Sequence, residues 1–260
     1  MGSMTTYGQY CPVAKAAEIF ADRWTPLIVR ELVLGSRHYN AIHRGLPGIS
    51  RSLLAQRLRR LESTGLVQRR VAGKRRSVEY RLTVAGLELQ QVIEALGEWG
   101  ARWAFTDPRP DEMDPQLLLW WIRRSIHREL LPAGRTVVQF DIRGAKRETA
   151  WLVMEPSDVS LCLQHPGFDV DLLVTADIAT LYRVWFGWIP ISRALEEGGI
   201  QLDGPATLVR AFPRWLKFSH FAPVVRAAVE ERRGAPAPTH RPRGVAVHSR
   251  APLSSAAPHA

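Results

Sequence analysis

Six side chains between Ser50 and Arg60 have the chemistry to read a nucleic acid: Ser50, Arg51, Ser52, Gln56, Arg59 and Arg60. Guanidinium and amide groups are planar donors and acceptors that match base edges in a major groove. Arg, Gln and Ser also hold phosphates. At 100° per residue, Ser52, Ala55, Gln56, Arg59 and Arg60 fall opposite a stripe of Leu54, Leu58 and Leu61. Ala55 is small enough to allow close approach. Arg57 projects between Leu53 and Leu61, so it reads as a structural Arg with its stem packed and its head paired. A second cationic group, Lys74, Arg75 and Arg76, follows in the turn Ala72–Arg76, which holds no acid.

Charge segregates along the chain. Residues 1–106 carry 16 Lys/Arg against 8 Asp/Glu, residues 107–231 carry 14 against 17, and residues 232–260 carry 5 against none. The cationic surplus thus sits with the base-reading groups and on the tail, as a phosphate partner favours. Catalysis is not expected. The eight His residues show no metal-ligand spacing, no glycine-rich phosphate loop is present, and no acid pairs with a nucleophile. No cofactor and no metal are expected. Cys11 and Cys162 are too few for a disulfide framework. No apolar run approaches the ~20 residues of a membrane span, and no secretory signal is seen, so a cytoplasmic protein without a membrane partner is expected.

Several elements must position the reading face. Ser50 follows Pro47-Gly48 as the N-cap of its helix, and Gly65 provides a left-handed end. Leu66–Val71 and Ser77–Leu82 read as two strands of a hairpin whose tip is the cationic turn. Before them the pattern predicts short helices at Val13–Phe20, from Pro26 with Thr25 as N-cap to Gly35, and at His38–Arg44. Helix, turn, helix and hairpin in this order describe a mainly α winged helix-turn-helix. Thr83 caps a long helix to about Phe105. Its apolar side includes Val92, Leu96, Trp99 and Trp103, too much for a small domain to cover, and so reads as a dimer interface.

The first part of the chain resembles the HxlR family of bacterial winged-helix transcription regulators. The resemblance rests on Cys11-Pro12-Val13, Asp22-Arg23-Trp24-Thr25, Leu27-Ile28, Arg30-Glu31-Leu32, Leu46-Pro47-Gly48-Ile49-Ser50, Gln56-Arg57-Leu58, Gly65-Leu66-Val67 and Val78-Glu79-Tyr80-Arg81-Leu82-Thr83. It spans residues 10 to about 103 and implies a homodimer on double-stranded DNA, with recognition helix and wing placed as above. The wing tip is short, which favours backbone contact over minor-groove insertion.

Residues 1–9 read as a tag remnant and a disordered start, 10–106 as the DNA-binding and dimerisation domain, and 107–115 as an acidic, proline-rich linker. Residues 116–231 read as an α+β domain: a helix Gln116–Leu131, strands Thr136–Ile142, Thr149–Met154, Val159–Leu163 and Val170–Thr175, a helix from Asp177 to Trp185, a helix Ile191–Glu197, a strand within Gly198–Gly204, and a last helix from Pro205 to Trp215. Residues 232–260 read as a disordered basic tail.

The second domain resembles the sterol carrier protein superfamily through Asp171–Asp177, Leu181, Gly187, Ala194-Leu195, Gly199, Ile200–Gly204 and Leu208. That resemblance implies an apolar tunnel for a hydrophobic small-molecule effector. Trp120, Trp121, Leu181, Trp185, Phe186, Trp188 and Leu195 are the expected lining. Two other readings compete. One is a lipid or hydrophobic-ligand carrier. The other is a redox or electrophile sensor through Cys11, with Lys15 and Arg23 near in sequence to acidify the thiol. The presence of a dedicated second domain puts ligand sensing ahead of thiol sensing.

Overall fold

A computed structural model describes residues 6–72 and 77–234. The amino-terminal unit contains helices α1 (Pro12–Phe20), α2 (Thr25–Val33), α3 (Tyr39–Arg44) and α4 (Arg51–Ser63), the hairpin β1 (Val67–Ala72) and β2 (Ser77–Leu82), and the long α5 (Val84–Trp99). Ile28, Val29, Leu32, Leu54, Leu58, Leu61 and Ile93 are buried together, so α2, α4 and α5 share one core. The hairpin pairs antiparallel from Val67↔Leu82 to Ala72↔Ser77. Tyr80 N donates to Arg37 O (2.7 Å), and His38 forms an isolated antiparallel bridge with Glu79, so the entry to α3 is tied to the wing.

Glycine and threonine fix the turn after α4. Gly65 has φ +74, a conformation costly for any residue with a Cβ. Thr83 Oγ1 donates to Gly65 O at 2.6 Å and accepts from Gly86 N at 3.2 Å, capping α5 and pinning it to the end of α4. A Cβ on Gly86 would stand 2.1 Å from Leu66 O, so only glycine fits there.

The carboxy-terminal unit begins with α6 (Pro115–Arg124). Its mixed sheet has the order β5-β4-β3-β6-β7, with β3 Thr136–Arg143, β4 Glu148–Met154, β5 Val159–Cys162, β6 Leu172–Asp177 and β7 Ile200–Asp203. All pairings are antiparallel except β3 with β6. Helices α7 (Ile178–Trp185) and α8 (Ile191–Glu196) join β6 to β7, and α9 (Ala206–Trp215) and α10 (Ala222–Gly234) follow. Val138, Phe140 and Ile142 of β3 are buried with Leu181, Trp185, Phe212 and Trp215 from the helices. The opposite sheet face is polar: Trp151 Nε1 donates to Gln139 Oε1 (3.1 Å), and Gln139 and Thr149 both donate to Asp141 Oδ1.

Four expectations need correction. Helix α2 starts at Thr25, so the residue before it is Trp24, held at φ +82 without a side-chain cap, rather than Thr25. The helix expected over Gln116–Leu131 stops at Arg124, because the next residues pair with another strand of chain. His127 N donates to Trp215 O and Lys217 N to Ser125 O, each at 2.7 Å, around an Ile126↔Leu216 bridge. The α-helical pitch of α5 ends at Trp99, and Gly100–Ala104 continues it as a wider i→i+5 turn. Finally, the helix ending at Trp215 is not the last one. Ala222, Val225, Ala228 and Val229 bury the inner side of α10, a helical spacing present in the sequence but not read there.

Candidate nucleic-acid interface

The Pro47-Gly48 turn, with Gly48 at φ +88, delivers the chain to Ser50, whose Oγ accepts from Leu53 N at 3.2 Å and starts α4. Tyr39 Oη donates to Arg51 O (2.6 Å), tying α3 to the first turn of α4. Leu54, Leu58 and Leu61 are wholly buried, which turns the opposite side of the helix outward.

On that outer side Ser50, Arg51, Ser52, Gln56 and Arg59 are exposed. Ser50 and Ser52 hydroxyls lie 3.1 Å apart. The side chains of Arg51, Gln56 and Arg59 make no hydrogen bond or ion pair among the described residues, so their donors are free for a partner. Arg60 departs from the expected group. Its Nη1 meets Asp22 Oδ2 at 2.6 Å and its Nη2 donates to Glu18 O at 2.6 Å. Arg57 Nη1 meets the same Asp22 oxygen at 2.5 Å. Both guanidiniums are therefore engaged in holding α4 to α1 and the turn after it, with side-chain exposures of 20% for Arg57 and 29% for Arg60.

Lys74, Arg75 and Arg76 lie outside the described residues. On the wing strands, Arg69 is exposed and has no partner among the described residues, which makes it a candidate phosphate contact absent from the sequence-based expectation. Arg70 donates to Gln68 Oε1 (2.9 Å). Arg81 pairs with Glu79 at 2.8 Å and holds that carboxyl below its ordinary range by hydrogen bonding, so it is a spent cation.

Val92, Leu96, Trp99 and Trp103 all face solvent from α5 and its wide turn, with Trp99 59% and Trp103 66% exposed. So large an apolar face in the open marks an interaction surface.

The two units meet behind α4. Glu31 of α2 is fully buried, and its carboxylate accepts from Ser36 Oγ (3.1 Å), Arg30 Nη2 (3.2 Å) and Arg124 Nη1 of α6 (2.9 Å). Arg124 Nη2 also donates to Leu34 O. Arg30 Nη2 reaches Gly45 O, and a Cβ on Gly45 would collide with the Glu31 carboxylate at 2.2 Å. Trp120 is buried under the guanidiniums of Arg44 (5.0 Å), Arg123 (4.8 Å) and Arg124 (5.6 Å), while Arg30 lies over Trp121 at 5.7 Å. Sequence patterning did not reveal this junction, because Glu31 and Arg124 are distant in the chain.

The expected tunnel residues therefore separate. Leu181 and Trp185 line a small apolar cavity of about 20 Å³ together with Phe140, Val184 and Phe212. That is room for about one water. Trp120 and Trp121 belong to the junction instead. Trp188 packs on Phe105 with ring centroids 6.2 Å apart, and Leu195 lies against the core without lining this cavity. Phe186 faces a larger groove beside α5. Cys11 is half-buried at the start of α1. Of the two nearby cations, Lys15 pairs with Glu18 at 3.3 Å and Arg23 lies over Trp24. Among the described residues, no cluster of His, Cys, Asp and Glu could hold a metal, and no helix is long and apolar enough to cross a membrane.

The profile of the HxlR-like helix-turn-helix family matches residues 19–108. The HTH-type transcriptional regulator sll1512 of Synechocystis is 36% identical over 97 residues, 37% of this chain and 72% of its own length. YvaP of Bacillus subtilis, also an HTH-type transcriptional regulator, is 35% identical over 97 residues, 36% of this chain and 90% of its own. Among solved structures, the redox regulator HypR in its reduced form matches at 30% identity, covering 35% of this chain and 90% of that one, with a TM-score of 0.33. With the helix-turn-helix, the wing and these relatives together, the chain belongs to the HxlR-like helix-turn-helix family.

Proposed function

We propose that this protein is a DNA-binding transcription regulator, a homodimer on a pseudo-palindromic operator, controlled by a hydrophobic small molecule bound to its carboxy-terminal domain. The observation that carries the reading is the division of labour on α4. Arg57 and Arg60 are engaged inside the protein, while Arg51, Gln56 and Arg59 stand outward without partners. Free, planar donors on a rigid helix are what base-edge readout requires. Ser50, Ser52 and Arg69, with Lys74, Arg75 and Arg76 of the wing, supply phosphate contacts.

The exposed face of Val92, Leu96, Trp99 and Trp103 supports a dimer in which two α4 helices meet half-sites about one helical turn apart. For the second domain, the order β6-α7-α8-β7-α9 agrees with the strand–helix–helix–strand–helix run of sterol carrier proteins and supports a lipid-binding ancestry. An effector acts by binding the two states of the dimer with different affinity.

The test is a gel-shift titration of operator and scrambled duplexes at two salt concentrations. The Gln56→Ala/Arg59→Ala variant is expected to keep scrambled-DNA affinity and lose most of its preference for operator. Unchanged preference would remove α4 as the reading element.

A further inference from the structure

The wide turn Gly100–Ala104 at the end of α5 borders a groove of about 230 Å³. Phe105, Phe186, Phe221 and Val225 form its other walls, and none of the described residues that line it is charged. Two glycines of one helix differ sharply here. A Cβ on Gly97 would lie 2.2 Å from the Phe221 ring, so that ring already rests on the bare backbone. A Cβ on Gly100 would meet nothing within 4 Å, although Gly100 has ordinary helical angles of φ −60 and ψ −45. The space beside Gly100 is open where the space beside Gly97 is filled.

We infer that this groove binds a small, neutral, flat aromatic molecule, placing the effector site at the junction of α5, α7 and α10 and not in the much smaller cavity around Leu181 and Trp185. The inference rests on the ligand-controlled reading above and names its site. Three phenyl rings provide stacking walls. An ionised ligand would lose its hydration without a counter-charge in the lining. The volume is more than ten times that of the cavity around Leu181 and Trp185, enough for two fused rings. Wide i→i+5 turns inside helices recur at functional sites, since a regular helix packs its backbone more favourably.

The groove is joined to the rest of the molecule on both sides. Arg232 of α10 donates to Phe105 O (3.2 Å) and Arg102 O (2.5 Å), clamping α10 to the carbonyls that the wide turn leaves free. Gly97, Gly100 and Ala104 each follow, by one residue, the exposed Leu96, Trp99 and Trp103, so groove and apolar face lie about 100° apart around one helix. A molecule wedged into the groove pushes on the helix that carries the dimer face.

The experiment titrates the full chain with 2-naphthol by calorimetry. Gly100→Leu and Ala104→Leu, which fill the groove, run alongside, each checked for unchanged thermal unfolding. The expected result is saturable binding, one molecule per chain, weakened at least tenfold in either variant that retains its melting temperature. Equal affinity in both variants, or no saturable binding to wild type, would overturn the groove as a site. Operator affinity is measured in the same samples. Binding at the groove that leaves operator affinity unchanged would retain the site and remove effector control.

Discussion

Arg124 and Glu31, 93 residues apart in the chain, form an ion pair at 2.9 Å in which the carboxylate has no solvent exposure. A charge buried this deeply survives only with full compensation. Arg30 and Ser36 supply part of it from the same domain, and Arg124 brings the remainder from the other. The second domain is thus wired into the interior of the helix-turn-helix.

Removing Arg124 should therefore be expensive. Arg124→Ala is expected to destabilise the protein by about 2–4 kcal/mol, because it leaves a buried carboxylate with only Arg30 and Ser36 to compensate it. Adding Glu31→Gln should recover part of the loss. Urea unfolding of the two single variants and the double variant measures the coupling, and strictly additive losses would show that the pair is not coupled.

Two adjacent arginines should behave differently. Arg59→Ala is expected to lower discrimination between operator and mismatched duplex by about 1–3 kcal/mol, with little effect on unfolding. Arg60→Ala, which breaks the tie to Asp22 and Glu18 O, is expected to cost about 1–2 kcal/mol of stability and to leave base preference in place. Gel shifts on a panel of single-base operator variants, with a denaturation curve for each protein, separate the two roles.

Charge placed on the exposed side of α5 should split the proposed dimer. Trp99→Asp is expected to give monomers in sedimentation equilibrium and to weaken operator binding more than tenfold, since both half-sites must be held at once. A dimer that persists would assign Val92, Leu96 and Trp103 to another partner.

Tyr182 predicts an alkaline weakness. Its hydroxyl donates to Asp114 O at 3.0 Å and accepts from Asp114 N at 3.1 Å, and burial pushes its pKa up to about 12 from 10.0. The folded state thus holds this proton more tightly than the unfolded chain. The resulting stability is intact below pH 10 and is lost as pH rises toward 12, with a full size of about 2–3 kcal/mol. Unfolding at stepped pH should show this loss, and Tyr182→Phe should flatten it.

Much of the fold could be read from local pattern. The leucine stripe of α4, the caps at Ser50, Thr83 and Asp177, and the strand boundaries depend on neighbours in sequence, and each is found within about two residues. What escaped depends on distant partners. Arg60 lies about 100° round the helix from Arg59 and one turn beyond Arg57, and the position of Asp22 on the α1–α2 turn decides that it pairs inward with Arg57. The tryptophans were grouped by type, yet Trp120 is drawn to the junction by three guanidiniums and Trp188 to the α10 side by Phe105. The end of α6 at Arg124 likewise depends on a segment around Leu216 that pairs with it.

Arg30, Glu31, Ser36, Arg44, Trp120 and Arg124, which fasten the two units at the buried carboxylate, all lie off α4, as do Arg102, Phe105 and Arg232 at their second contact. In the regulator proposed above, target choice and domain attachment would therefore sit on separate surfaces. Changes at Gln56 and Arg59 would alter the sequence that is read and leave the Glu31–Arg124 junction intact, an arrangement that would let one receiver be reassigned among genes.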